Sequence, residues 1–372
     1  MASETKAQQV ERYLRSGILN GMWKAGDLLP SEHELLERLG VSRTTLRHAL
    51  SALASEGLVV PHQGSGTFVA ETPHTGIVAM IARADVLASP AGYFQNAMFE
   101  HTARSSEADG YRPVLAIGSG RTEEEFLSST NLMDRAVIKD VVGVISYLNL
   151  GSVEDRLIRE GISTVVVDTV VPVGKHCVIL DYRHLIEMAV QTLRTHGCND
   201  FALMRGENVT IPRYMFDVAA YDEAAYLYKA AVGFRDDRLI TVPVEPAALF
   251  RPVCEAFKKW WHSPGRPNAI IFVDDNICDA ACRAILELGI RVPEELAIIT
   301  HANTGRDFHF PVELTRIEFD PVQVSAAAWS MLRGLISDDH SDVKVEYVRP
   351  VLREGASLEP VRPSTVPTRE GG

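Results

Sequence analysis

The chain has 372 residues, 46% of them hydrophobic, and a net charge of −12, with a mean hydropathy near zero; this fits two or three ordinary globular domains. No apolar run approaches the length that spans a bilayer, and the start, MASETKAQQ, lacks a basic, apolar secretory signal, so no membrane contact and a cytoplasmic location are expected. The 5 cysteines, odd in number and without a Cys-x-x-Cys pair, indicate neither a disulfide framework nor a zinc site, and no metal or cofactor is expected.

In chain order, the first informative stretch runs from Leu29 to Val69. Ser31 is placed to cap a helix striped by Leu35, Leu36 and Leu39, Glu34 completes a capping box, and Gly40 ends the helix. Val41 and Ser42 form a turn, and Ser42 caps a second helix whose Leu46, Ala49, Leu50 and Leu53 face a core until Gly57 stops it. Leu58 to Val60 and Thr67 to Val69 are β-favouring runs around His62-Gln63-Gly64-Ser65-Gly66, the composition of a tight hairpin. Two capped helices followed by a hairpin predict a winged helix-turn-helix. On the open face of the second helix Arg43 and Arg47 project together beside Thr44 and Thr45. Arginine reaches guanine O6 and N7 with two parallel bonds, and threonine meets phosphate or a thymine methyl, so this face suits a major groove. Residues 1 to 72 carry 7 Lys and Arg against 8 Asp and Glu, so the acidity belongs to the remainder of the chain, where it suppresses nonspecific attachment to phosphate.

The pattern LPSE, S-R-T-T-x-R and G-x-G-T-F-V over residues 1 to 70 resembles the DNA-binding domain of the GntR family of bacterial transcription regulators. That resemblance implies base or phosphate contacts from Arg43, Thr44, Thr45 and Arg47, and minor-groove or phosphate contacts from His62 and Gly64. At His33 many relatives carry an arginine that touches DNA, so the resemblance implies a weaker contact there.

Residues 71 to 75 are short, polar and proline-bearing, as a linker is. Beyond them apolar runs at 77–81, 113–117, 141–147 and 164–167 alternate with helical patterns around 94–109, 122–138 and 152–160. The alternation resumes with helix 185–195, strand 201–204, helix 217–231, strand 238–242, helix 249–261, strand 269–273, helix 278–288 and strand 296–299. Near-continuous apolar strands separated by amphipathic helices predict two doubly wound, parallel-sheet lobes. Such sheets bind ligands beyond the carboxyl ends of their strands, so a cleft between the lobes is the expected effector site. Its expected lining is Asp168, Arg205, Arg213, Asp274, Asp275 and His301 to Asn303, with Tyr93, Phe94, Phe216 and Phe319 covering the apolar face of a sugar ring. Asp274 has two readings here, ligand contact and helix N-cap.

Residues 76 to 358 resemble the effector domain of LacI/GalR regulators and periplasmic sugar-binding proteins, through CVILDYRHLIEMAVQTLRTHGCNDFALM, PNAIIFVDDNICDAACRAILELGIRVPEELAII and LTRIEFD. The resemblance implies that Asp275 and Asp168 contact sugar, and that Asp217, with Arg213 one turn away, stands where relatives carry an arginine. A GntR-type reader joined to a LacI-type sensor is the arrangement of arabinose-repressor-type regulators. The expected organisation is therefore α/β: a small α+β winged helix-turn-helix at 1–70, a linker at 71–75, two periplasmic-binding-protein-like lobes at 76–358 with crossings near 181, 305 and 320, and a disordered tail at 359–372. The expected function is a homodimeric repressor of sugar-metabolism genes that binds double-stranded operator DNA and is released by a small sugar. An activator, or a sensor of a purine or sugar phosphate, is the alternative. A carboxylate-dependent enzyme finds no nucleophile elbow, phosphate loop or metal spacing to support it.

Overall fold

The computed structural model describes residues 5–19, 22–55, 57–62, 64–70, 76–87, 92–120, 122–130, 132, 138, 140–147, 150–168, 174–208, 236–244, 249–337 and 342–358. The expected linker, the 217–231 helix and the expected tail lie outside these residues.

The N-terminal unit is α1 (Lys6–Leu19), α2 (Glu32–Leu39), α3 (Arg43–Ser55), β1 (Val59–His62) and β2 (Gly66–Val69). Val10, Leu14 and Ile18 recur every four residues on α1, and they meet Leu35, Leu46, Ala49, Leu53, Leu58 and Val69 in one buried cluster. Ser31 closes the capping box with Glu34, and Gly40 ends α2 in a left-handed conformation (φ +61°). The wing pairs antiparallel from Val59 opposite Val69 to His62 opposite Gly66. Sequence patterning did not reveal that the segment before α2 joins this hairpin: Leu29 N–H donates to the Thr67 carbonyl at 2.8 Å and Val69 N–H to the Asp27 carbonyl at 2.8 Å.

The sensor region contains β3 (Ile77–Arg83), α4 (Ala84–Leu87), α5 (Tyr93–Ala108), β4 (Arg112–Gly118), α6 (Glu123–Thr130), β5 (Val141–Ser146), α7 (Ser152–Arg159), β6 (Ser163–Asp168) and β7 (His176–Leu180). There follow α8 (Tyr182–Thr195), β8 (Ala202–Asn208), β9 (Leu239–Val244), α9 (Phe250–Trp261), β10 (Ala269–Phe272), α10 (Asp275–Glu287), β11 (Ala297–Asn303), β12 (Thr315–Phe319), α11 (Pro321–Ile336), β13 (Val345–Val348) and β14 (Val351–Arg353). The first lobe is a 6-stranded sheet in the order β13-β7-β6-β5-β3-β4, and its described pairings are parallel. The second is β14-β12-β11-β10-β8-β9, parallel except where β14 runs against β12. Strands β3, β10 and β11 are buried along their whole lengths, because helices cover both faces.

The chain leaves the first lobe at Asp181, returns to it at Asp320, and leaves again between Val348 and Val351. The crossing expected near 305 is not made, because β11 and β12 pair side by side in the second lobe, Ile299 opposite Thr315. The missed crossing joins two short strands without the helix whose periodicity marks the others. Asp181 and Asp320 cap the helices that begin at the other crossings, accepting from His184 N–H at 3.0 Å and Val322 N–H at 2.8 Å. One buried apolar cluster runs through both lobes, from Met80, Ile145 and Val165 to Leu203, Ile271 and Ile317.

Candidate DNA-reading face and effector cleft

The cap that starts α3 decides what its first turn presents. Ser42 Oγ accepts from Thr45 N–H at 3.2 Å and lies 2.8 Å from the Thr45 hydroxyl, so Thr45 spends its polar atom on the cap while Thr44 stands exposed. Arg43 and Arg47 project into solvent with side chains 68% and 66% exposed. The wing faces Arg47 across a groove of about 810 Å³ bordered by Glu32, Arg47, His62, Gly64, Ser65 and Thr67. Gly64 turns the hairpin at φ +81°, and His62 rests edge-on against Phe68 with ring centroids 5.1 Å apart. His33 stands apart from the groove lining, exposed, with Nε2 3.6 Å from Glu37. One residue of this face was missed from sequence. Glu32 reaches both arginines, Oε2 at 3.8 Å from Arg43 Nε and Oε1 at 3.7 Å from Arg47 Nε.

In the second lobe the ends of β10 and β11 assemble a buried polar wall. Asp274 Oδ1 accepts from Asn276 N–H at 2.9 Å and Ile277 N–H at 3.0 Å, which makes it the N-cap of α10. Asp275 is 4% exposed and accepts from the side-chain amides of Asn276 and Asn303, each at 3.0 Å. Burial, with the charge of Asp274 beside it, pushes the Asp275 carboxyl up to about 7. His301 is equally buried; burial lowers its imidazole to about 4 against the attraction of Asp274. Both His301 ring nitrogens and Asn276 Oδ1 are buried without a hydrogen-bond partner. Arg306, 3.5 Å from Asp279, adds a guanidinium that favours the Asp275 carboxylate.

Phe319 requires a correction. It has no exposed surface and packs against Tyr182 and His301 at ring separations of 5.4 and 5.8 Å, so it braces the wall and offers no face to a sugar ring. Half-buried Tyr182, 5.5 Å from His301, is the aromatic that sequence reading overlooked; it directly follows the helix-capping Asp181. From the first lobe, Tyr93 Oη donates to the Thr304 carbonyl at 3.4 Å, and Phe94 is half-buried against the core. Arg205 Nε donates to Thr241 Oγ1 at 3.1 Å within the second sheet. Asp168 closes β6 at the end of its strand. Arg213, Phe216 and Asp217 lie outside the described residues. The structure therefore brings Asp275, His301 and Phe319 together with Asn276, Asn303 and Tyr182, and sets Tyr93 near Thr304.

Cys278 and Cys282, on α10, are buried, as are Cys177, Cys198 and Cys254. Among the described residues no helix is long and apolar enough to cross a membrane.

An exposed arginine pair on a winged helix, joined to two parallel-sheet lobes of which the second carries a buried polar wall, defines an effector-responsive, DNA-binding transcription regulator. Residues 6–69 match the family described as bacterial regulatory proteins, gntR family, and residues 190–358 match the periplasmic binding protein-like domain. It is 23% identical over 369 residues to the arabinose metabolism transcriptional repressor of Halalkalibacterium halodurans, covering 94% of each chain. The repressor of the same description from Geobacillus stearothermophilus is 24% identical, covering 91% of this chain and 93% of that one. A LacI family transcriptional regulator from Enterococcus faecium with bound ribose shares the fold, with a TM-score of 0.61 and 16% identity, covering 77% of this chain and all of that one.

Proposed function

We propose that the chain is a cytoplasmic, homodimeric repressor of sugar-metabolism genes, released from its operator when an uncharged small sugar enters the cleft. The observation that carries this reading is the wall of Asp275, Asn276, His301 and Asn303, where buried polar atoms stand unpartnered at the strand ends. Such atoms cost free energy until a ligand pairs them, and a polyhydroxyl ligand supplies donors and acceptors in adjacent positions. Arg43, Thr44, Thr45, Arg47, His62 and Gly64 are the DNA contacts of the proposal, with His33 peripheral. Asp275, His301, Asp168, Tyr93, Phe94 and Arg205 are the effector contacts, joined by Arg213, Phe216 and Asp217. The relatives named for arabinose metabolism make pentoses the first probes.

A single winged helix covers little DNA, which supports paired half-sites read by a dimer. Moving such a dimer from 1:99 to 99:1 between states requires an effector affinity ratio of roughly 10⁴, about 5.5 kcal/mol, which two sites can share. The test is a thermal-shift screen of the full chain against pentoses, hexoses, disaccharides, sugar phosphates and nucleobases. A sugar at 100 times its dissociation constant stabilises the folded state by about 2.7 kcal/mol, and the same sugar must release selected operator DNA. A shift given only by nucleobases or sugar phosphates overturns the uncharged-sugar reading.

A further inference from the structure

We infer that Glu32 is a positioning residue of the DNA reader, whose one carboxylate aligns Arg43 and Arg47 and weakens binding to random duplex DNA relative to a specific site. Glu32 is the first residue of α2, and the turn at Val41 and Ser42 brings α3 back alongside it. Its two oxygens are divided, one to each arginine, at 3.8 and 3.7 Å from the Nε atoms. Glu34, two positions on, is committed to the cap: its Oε2 accepts from Ser31 N–H at 2.8 Å and from Ser31 Oγ at 2.9 Å. Among the described residues neither arginine donates a hydrogen bond, so each keeps its five N–H donors for DNA. Glu32 itself is 41% exposed and lines the groove with Arg47, His62 and Gly64.

This arrangement treats phosphate and base edges differently. Binding of random duplex grows with each phosphate that an arginine neutralises. A carboxylate shared by both arginines leaves a net charge of one on the trio and repels phosphate, so the random mode loses about one neutralised phosphate. Exposed pairs of this length break readily, and at a guanine edge the directed, bidentate bond replaces the ion pair. Holding both guanidiniums on one carboxylate also limits the rotamers that must be ordered on docking.

The test first selects a preferred duplex from a random library with the full-length wild-type chain. Affinities for that duplex and a scrambled one of equal length are then measured by fluorescence anisotropy across a salt series. Glu32→Gln keeps size and removes charge. The expected result is tighter binding of the scrambled duplex, by about tenfold, with its log–log salt slope steeper by about 0.9, while the selected duplex gains less, so the ratio between them falls. Glu32→Asp keeps the charge on a shorter stem; wild-type affinity for the scrambled duplex, with weaker binding of the selected one, is expected. Equal changes on both duplexes in both variants, or an unchanged salt slope in Glu32→Gln, overturn the inference. Arg47→Ala tests separately whether α3 is the reader, since it must weaken the selected duplex whatever Glu32 does.

Discussion

Two ion-pair clusters in this molecule use the same chemistry for opposite ends. Glu32 holds Arg43 and Arg47 at 3.7 to 3.8 Å with all three side chains at least 41% exposed. Glu154, fully buried in the first lobe, takes Lys175 Nζ at 3.3 Å, Ser146 Oγ at 2.7 Å and Leu150 N–H at 2.8 Å, and Lys175 is only 7% exposed. The Glu32 pairs are long and exposed to water. The buried cluster satisfies every partner within the fold, and burial still pushes the Glu154 carboxyl up. Exposure therefore decides whether a charged group is available to a ligand or committed to the architecture.

The largest effect that tests this contrast is on folding. Lys175→Met leaves Glu154 buried without its cation and is expected to cost about 3–5 kcal/mol in urea denaturation; a loss below about 1 kcal/mol would place this pair with the surface ones. Next comes the polar wall. Asp275→Ala removes the acceptor of Asn276 and Asn303 and is expected to weaken effector binding by about 10- to 100-fold, the value of hydrogen bonds to a charged group, with operator affinity unchanged. Retained induction would make Asp275 structural only. On the exposed side, Arg47→Ala is expected to cost about 1–3 kcal/mol of operator binding, with thermal stability within about 0.5 kcal/mol of wild type. A large stability loss would erase the distinction.

The smallest effect is a pH dependence with two opposed parts. Between about pH 4 and 6.5 His301 is neutral in the folded chain and protonated in the unfolded one, so stability rises with pH through that window. Asp275, raised to about 7, keeps a proton when folded that it has lost when unfolded, so its part falls with rising pH from about 4 to 7. These slopes offset each other in the native sensor. His301→Gln removes the rising part, and its melting temperature is expected to fall with increasing pH across this range. A profile parallel to wild type would show that the wall does not titrate as described.

Much of the reader was legible because its signals are local. The capping box at Ser31 and Glu34, the left-handed Gly40 and the arginines four residues apart are properties of short segments, set by helix geometry. Glu32 escaped notice because its partners lie on another helix, beyond a turn. In the sensor, the strand and helix alternation and the cap at Asp274 could be read, since apolar runs and caps are also local. The brace formed by Tyr182, His301 and Phe319 could not: it joins the start of α8 to the ends of β11 and β12, and nothing in the spacing of 182, 301 and 319 marks their meeting. Sequence reading offered Phe319 as an aromatic cover for a sugar ring; its burial depends on the helix packed against it.

By itself, then, the sequence determined the order of elements, the two-part organisation and which helix carries the exposed arginine pair, because periodicity, caps and turns act within one or two elements. Tertiary structure alone decided the third lobe crossing at Val348 to Val351, the division of Glu32 between two arginines, and which polar groups at the strand ends are buried without partners. Each of these depends on segments far apart in the chain being brought within a few ångströms, where burial and neighbouring charge set what a side chain can do.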